Sequence, residues 1–111
     1  MTQELTAADD GRHLRVAPGE MVVLALPEVP TTGYRWEVVD LDASVASLSR
    51  VSYEGSPGAA VGGGGRRIFV FTAGSTGTAS VRLSCQRSWG TQPPDRTFAV
   101  SVEVVSGGAE S

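Results

Sequence analysis

The chain is 111 residues long, carries a formal net charge of −3, and uses arginine for all nine of its basic residues. Nucleic-acid backbones are bound by a net basic face, which an acidic chain lacks, so we predict no nucleic-acid partner. The only cysteine, Cys85, excludes an intrachain disulfide and a thiolate metal cluster, so packing alone must stabilise the fold. Every apolar run is much shorter than the roughly 18 residues of a transmembrane helix, and we expect no membrane partner.

The N-terminal segment, residues 1–10, has neither the basic region nor the apolar region of a signal peptide. We therefore expect a cytoplasmic protein. A chain from which a signal peptide had been removed would look the same, and that protein would be secreted or periplasmic.

Composition and length together predict one all-β domain. Fourteen glycines, frequent Pro, Ser and Thr turn signals and the lack of a long 3.6-residue apolar period all favour strands over helices. We assign residues 1–105 to a single domain with one core and residues 106–111 to a disordered polar tail, and we expect a monomer.

Seven predicted strands, lettered A to G, follow from apolar runs separated by turn signals. Strand A consists of two short edge pieces on either side of a turn at residues 9–11, and strand D alternates imperfectly. In chain order the strands cover residues 4–6 with 13–16, 21–26, 34–39, 45–54, 66–71, 79–86 and 97–105.

Alternation within the strands predicts which side chains face the core. A period of two puts Tyr34, Trp36 and Val38 on one face of strand C, and a buried tryptophan on the third strand is typical of an immunoglobulin-like sandwich. Strand F alternates cleanly, with Val81, Leu83 and Cys85 inward and Arg82, Ser84 and Gln86 outward, and strand G has Phe98, Val100, Val102 and Val104 on one face. These patterns predict an immunoglobulin-like β-sandwich of seven to eight antiparallel strands.

The connection between strands B and C, within residues 28–36, is stiff, small and uncharged at its tip. Pro30 fixes its own φ and favours an extended residue before it, and Gly33 can adopt the positive φ that reverses the chain after Thr31 and Thr32. A rigid loop on a sheet scaffold is a common binding element.

Two further unusual connections should lie at the same end of the sandwich. Strands of about six residues cross roughly 20 Å, so successive connections alternate between the two ends. The B–C loop therefore shares its end with the glycine-rich D–E loop at residues 55–65 and with the F–G loop at residues 87–95, which contains Trp89.

The three loops resemble those of the chagasin-like inhibitors of papain-family cysteine peptidases. That family has Asn-Pro-Thr-Thr-Gly-aromatic, Gly-x-Gly-Gly and Arg-Pro-Trp in these loops, with Val29 and Ser88 here in place of the family's Asn and Pro. The matching residues are Pro30, Thr31, Thr32, Gly33 and Tyr34, then Gly62, Gly63, Gly64 and Gly65, then Arg87, Ser88 and Trp89.

The resemblance implies a reversible inhibitor whose partner is a papain-family cysteine peptidase. The first loop would enter the active-site cleft near the catalytic cysteine, and the other two would contact the cleft walls. The alternative is an immunoglobulin-like module that binds another protein or a glycan through the same loops.

Other interpretations of the same residues remain. The Pro-Thr-Thr-Gly segment is also compatible with an ordinary hairpin loop, the glycine run with a flexible spacer, and Trp89 with a half-buried side chain or a base-stacking one. The glycine run lacks the Lys-Ser/Thr and the following helix of a phosphate-binding loop.

An enzyme is not predicted. The single histidine, His13, falls on an edge strand without a recognisable Ser or Cys partner nearby in sequence, and Cys85 points inward. No group of His, Cys, Asp and Glu has metal-ligand spacing, so we expect no catalytic residues, metal or cofactor.

Overall fold

The computed structural model describes residues 2–29, 33–55, 64–87 and 96–106. Within these ranges the chain forms a short 3-10 helix, Ala7–Asp9, and eight β-strands. The strands are β1 (Thr2–Thr6), β2 (His13–Val16), β3 (Met21–Glu28), β4 (Tyr34–Asp40), β5 (Ala46–Gly55), β6 (Gly65–Ala73), β7 (Gly77–Arg87) and β8 (Arg96–Val104). The all-β prediction is confirmed; of the tail predicted at residues 106–111, all but Ser106 lies outside the described residues.

Two four-stranded sheets face each other, as the sandwich prediction requires. The first has the strand order β1-β3-β6-β5 and the second β2-β8-β7-β4. Antiparallel pairing prevails, but β1 pairs in parallel with β3 and β2 in parallel with β8, so the expectation of antiparallel strands throughout was wrong.

The two pieces of predicted strand A belong to different sheets, which corrects the single strand expected from sequence. The 3-10 helix and a turn at Gly11, with φ of 86°, carry the chain from the edge of one sheet to the edge of the other. Thr6 caps the helix, and its backbone N–H donates to Asp9, which lowers the pKa of that carboxyl below its ordinary value. Ala99 of β8 closes the turn by donating its N–H to the Asp10 carboxylate.

The core lies between the sheets and is built from the predicted inward faces. Trp36 is buried, and Tyr34 and Val38 on the same face pack against the core. The residues predicted inward in strand F and those predicted to share one face of strand G are all buried, namely Val81, Leu83, Cys85, Phe98, Val100, Val102 and Val104.

Ser84 departs from its predicted outward exposure, since only 5 % of it is accessible. It lies on the outer face of β7, between its cross-strand neighbours Glu37 of β4 and Thr97 of β8. A short side chain in the middle of a sheet is covered by longer side chains beside it, so alternation alone did not predict this burial.

Strand β5 explains the imperfect alternation of predicted strand D. The pairing of β5 with β6 shifts register between Leu48 and Arg50, as at a β-bulge. Because β5 is an edge strand, Leu48 and Val51 remain 39 % and 47 % exposed.

Strand β3 is longer than predicted strand B and continues through Pro27 to Glu28. Its pairing with β1 ends at Ala25, whereas its pairing with β6 continues to Glu28 opposite Gly65. The Pro27 carbonyl accepts hydrogen bonds from Trp36 and Arg96 rather than from β6. The N–H of a strand residue faces the same side as its carbonyl, so the N–H that proline lacks breaks no bond of the β3–β6 ladder. Glu28, which the sequence placed in the first loop, is a strand residue.

Candidate functional site

Three connections leave the sandwich at one end, where their flanking strand residues meet. We call residues 29–33 loop 1, residues 56–64 loop 2 and residues 88–95 loop 3. At this end Glu28 pairs with Gly65, and Tyr34 pairs with Arg87. The arrangement agrees with the shared end expected from strand lengths.

Only part of the proposed binding set falls within the described residues. Gly33, Tyr34, Gly64, Gly65 and Arg87 are described. The others lie outside the described residues, namely Pro30, Thr31, Thr32, Gly62, Gly63, Ser88 and Trp89.

The two ends of loop 1 contact different neighbours. Gly33 has φ of 82°, the left-handed conformation predicted for the chain reversal. Tyr34 is half-buried, and the guanidinium carbon of Arg87, the last residue of β7 before loop 3, lies 4.8 Å from its ring centroid. Val29 lies beside Gly64 of loop 2, where a β-carbon on the glycine would come within 3.3 Å of the valine Cγ2. The flanks of loop 1 thus touch loop 2 and the strand residue that precedes loop 3.

The carbonyl oxygen of Pro27 joins the two sheets beneath the loops. It accepts a hydrogen bond of 2.9 Å from the indole Nε1 of Trp36 and one of 3.1 Å from the guanidinium of Arg96. Arg96 also lies over the Trp36 ring, 5.3 Å from its centroid, at a distance typical of a cation–π contact. These contacts fix the start of β8, and so the end of loop 3, relative to the start of loop 1.

A buried ion pair between Glu28 and Arg67 lies directly below loops 1 and 2. The Glu28 carboxylate is 1 % exposed and the Arg67 side chain 16 % exposed, and their closest N–O distance is 2.6 Å. Oε1 of Glu28 also accepts the backbone N–H of Trp36 at 2.9 Å. A carboxylate this deeply buried needs such a full set of donors to offset its lost hydration.

Sequence reasoning missed this pair, although the alternation contained a signal for it. Continuing the inward series of β3 by a period of two leads to Glu28, and tracing the inward series of β6 back from Phe69 leads to Arg67. An acidic and a basic residue at the ends of two inward series on neighbouring strands indicate a buried ion pair.

Gly65 is required by a close approach of β5 to β6. A β-carbon at Gly65 would collide with the carbonyl oxygen of Glu54 and come within 2.5 Å of the Tyr53 hydroxyl and 2.8 Å of the Gly55 Cα. The first residue of β6 therefore has no room for a side chain.

We expect Gly65→Ala to lower the free energy of unfolding by about 1 to 3 kcal/mol, because backbone atoms must shift to admit the methyl group. Urea denaturation measures this loss. Gly55→Ala is the matched control, since a β-carbon there meets nothing within 4 Å. Equal losses in the two variants would contradict the steric explanation.

The one cysteine and the one histidine of the chain both fall within the described residues. Among residues 2–29, 33–55, 64–87 and 96–106, no three His, Cys, Asp or Glu side chains are placed to hold a metal ion. Cys85 is fully buried, and His13 lies on edge strand β2, where it contacts Glu103.

No helix in the described ranges is long and apolar enough to cross a bilayer.

Comparison with known proteins covers nearly the whole chain. The family described as "Chagasin family peptidase inhibitor I42" matches residues 15–102, a range that includes all three loops. Amoebiasin-1 of Entamoeba histolytica is 31 % identical over 100 residues, which cover 90 % of this chain and 97 % of that protein. Chagasin of Trypanosoma cruzi is 34 % identical over 93 residues, covering 80 % and 84 %.

Solved structures share the fold. The crystal structure of the cysteine protease inhibitor EhICP2 from Entamoeba histolytica superposes with a TM-score of 0.85. The match covers 94 % of this chain and 96 % of EhICP2 at 23 % sequence identity. The similarity confirms the immunoglobulin-like sandwich.

Proposed function

The chain belongs to the chagasin family of peptidase inhibitors, and from this we propose that it reversibly inhibits papain-like cysteine peptidases by filling their active-site cleft. The observation that carries the proposal is the family match across residues 15–102, which includes all three loops at one end of the sandwich. Family membership also separates this chain from an enzyme, because an inhibitor of this kind needs no catalytic groups of its own.

The described contacts support a mechanism of occlusion. Loop 1, with Thr31, Thr32 and Gly33 at its tip, would enter the cleft, while Gly62–Gly65 and Trp89 would contact its walls. Non-covalent contacts at the bases of the loops favour this mechanism, because loops held in place lose little conformational entropy on binding. These contacts are the stacking of Arg87 on Tyr34, the hydrogen bond from Arg96 to the Pro27 carbonyl, and the close approach of Gly64 to Val29.

Titration of papain, or of a cathepsin L-type enzyme, with the purified chain tests the proposal. We expect competitive inhibition that is reversed by dilution. Absence of inhibition at micromolar concentration would favour the alternative, an immunoglobulin-like module that binds a protein or glycan through the same loops.

The tip of loop 1 should act through its shape and lack of charge. We expect Thr31→Asp to weaken inhibition far more than Thr31→Ser, because a carboxylate in the cleft would lose its hydration without gaining a partner. Inhibition constants of the two variants against one peptidase measure the difference. Equal losses would remove the argument for an uncharged tip.

A further inference from the structure

The Glu28–Arg67 pair is placed to set the geometry of the loops. Glu28 is the last inward-facing residue of β3, and on the inward face of β6 only Gly65, which has no side chain, precedes Arg67. The pair therefore closes the loop end of the core between the two sheets. Glu28 is also the last strand residue before loop 1. Its buried carboxylate is therefore one residue away from the segment proposed to enter the peptidase.

The Glu28 carboxylate accepts hydrogen bonds from β4, the strand that follows loop 1, and from β6, the strand that follows loop 2. Oε1 accepts the backbone N–H of Trp36, three residues after Gly33. Oε2 accepts both Nε of Arg67 at 3.1 Å and its terminal nitrogen at 2.6 Å, and Arg67 lies three residues after Gly64. A single carboxylate thus fixes the first residues of β4 and β6, the strands after loops 1 and 2, relative to the start of loop 1.

Arg67 extends this network to the strand that enters loop 2. Its guanidinium carbon lies 5.2 Å from the ring centroid of Tyr53 on β5, and the Tyr53 hydroxyl approaches the backbone oxygen of Glu28 at 3.5 Å. Lysine would keep the positive charge but could not provide both the planar fork and the stacking face. The network therefore depends on arginine itself.

Stabilisation of the fold does not by itself explain the buried ion pair between Glu28 and Arg67. Buried ion pairs are often no more stabilising than apolar side chains of the same volume, because both charges lose their hydration. What they provide is a directional set of hydrogen bonds. A loop that fills a cleft binds more tightly when it is already held in its bound conformation. The contribution of the pair is therefore to position the loops.

We infer that Glu28 and Arg67 are positioning residues that hold loops 1 and 2 in their binding conformation, an inference that rests on the proposed inhibitory function. Neither side chain needs to touch the peptidase for this role. Their loss should lower affinity per folded molecule, whereas a purely structural role would lower only the folded fraction.

The test compares Glu28→Gln and Arg67→Lys with a matched control, Glu54→Gln. Glu54 forms an exposed ion pair with Arg66 at the same end, one position from Arg67 on β6. Inhibition constants for papain are measured on protein whose folded fraction is known from urea melts. We expect both test variants to raise the inhibition constant about 10- to 100-fold and the control to change it less than about threefold.

Unchanged inhibition constants in the folded Glu28→Gln and Arg67→Lys variants, with lower stability, would overturn the inference and leave the pair a structural one. If Glu28→Gln does not fold, Arg67→Lys, which retains the charge, decides the question.

Failure of the wild-type chain to inhibit would instead overturn the proposed function. In that case the positioning role is tested without a peptidase, by comparing the NMR chemical shift of the Gly33 amide in loop 1 between wild type and each variant. A shift in Glu28→Gln but not in Glu54→Gln supports positioning, and unchanged shifts in both contradict it.

Discussion

Trp36→Ala is expected to lower the free energy of unfolding by about 3 to 5 kcal/mol, a large part of the total stability of a domain this size. Trp36 is 4 % exposed and belongs to the core cluster. Its indole also donates to the Pro27 carbonyl across the sheets and packs against the Arg96 guanidinium. Truncation removes the buried area, the inter-sheet hydrogen bond and the stacking surface at once.

Urea denaturation followed by circular dichroism measures this loss. Trp36→Phe is the comparison variant, because it keeps most of the aromatic volume and removes the indole N–H. We expect it to recover more than half of the loss. A change below about 1 kcal/mol for Trp36→Ala would contradict the assignment of Trp36 as the core tryptophan.

Trp89→Ala is expected to show the opposite pattern, with inhibition weakened by about 2 to 4 kcal/mol, or about 30- to 1000-fold, and stability little changed. The resemblance places Trp89 in loop 3 as a contact to the peptidase. A large aromatic side chain buries much surface at low entropic cost, which makes tryptophan a frequent interface anchor.

The two tryptophan variants control each other when the same urea melts and the same peptidase are used. A stability loss in Trp89→Ala, together with unchanged inhibition per folded molecule, would show that Trp89 is a core residue. Such a result would also weaken the proposed role of loop 3.

The described parts of the site were only partly predictable. The positive φ of Gly33 and the shared end of the loops followed from local turn chemistry and strand length, and the structure agrees with both. The stacking of Arg87 on Tyr34 and of Arg96 on Trp36 was not foreseen, because each pair joins strands far apart in the chain. The roles of Thr31, Thr32 and Trp89 remain predictions.

The sequence by itself determined the strands and their inward faces. A period of two is a local property of the extended chain, so Trp36, Cys85 and Phe98 were placed correctly from their neighbours alone.

Tertiary structure decided what depends on distant segments. It divided predicted strand A between two sheets, paired β1 and β2 in parallel with their neighbours, covered Ser84, and joined Glu28 to Arg67. The physical reason is that a strand's own residues fix which face is apolar, whereas its partner, its register and the burial of a polar side chain depend on residues brought next to it only by folding.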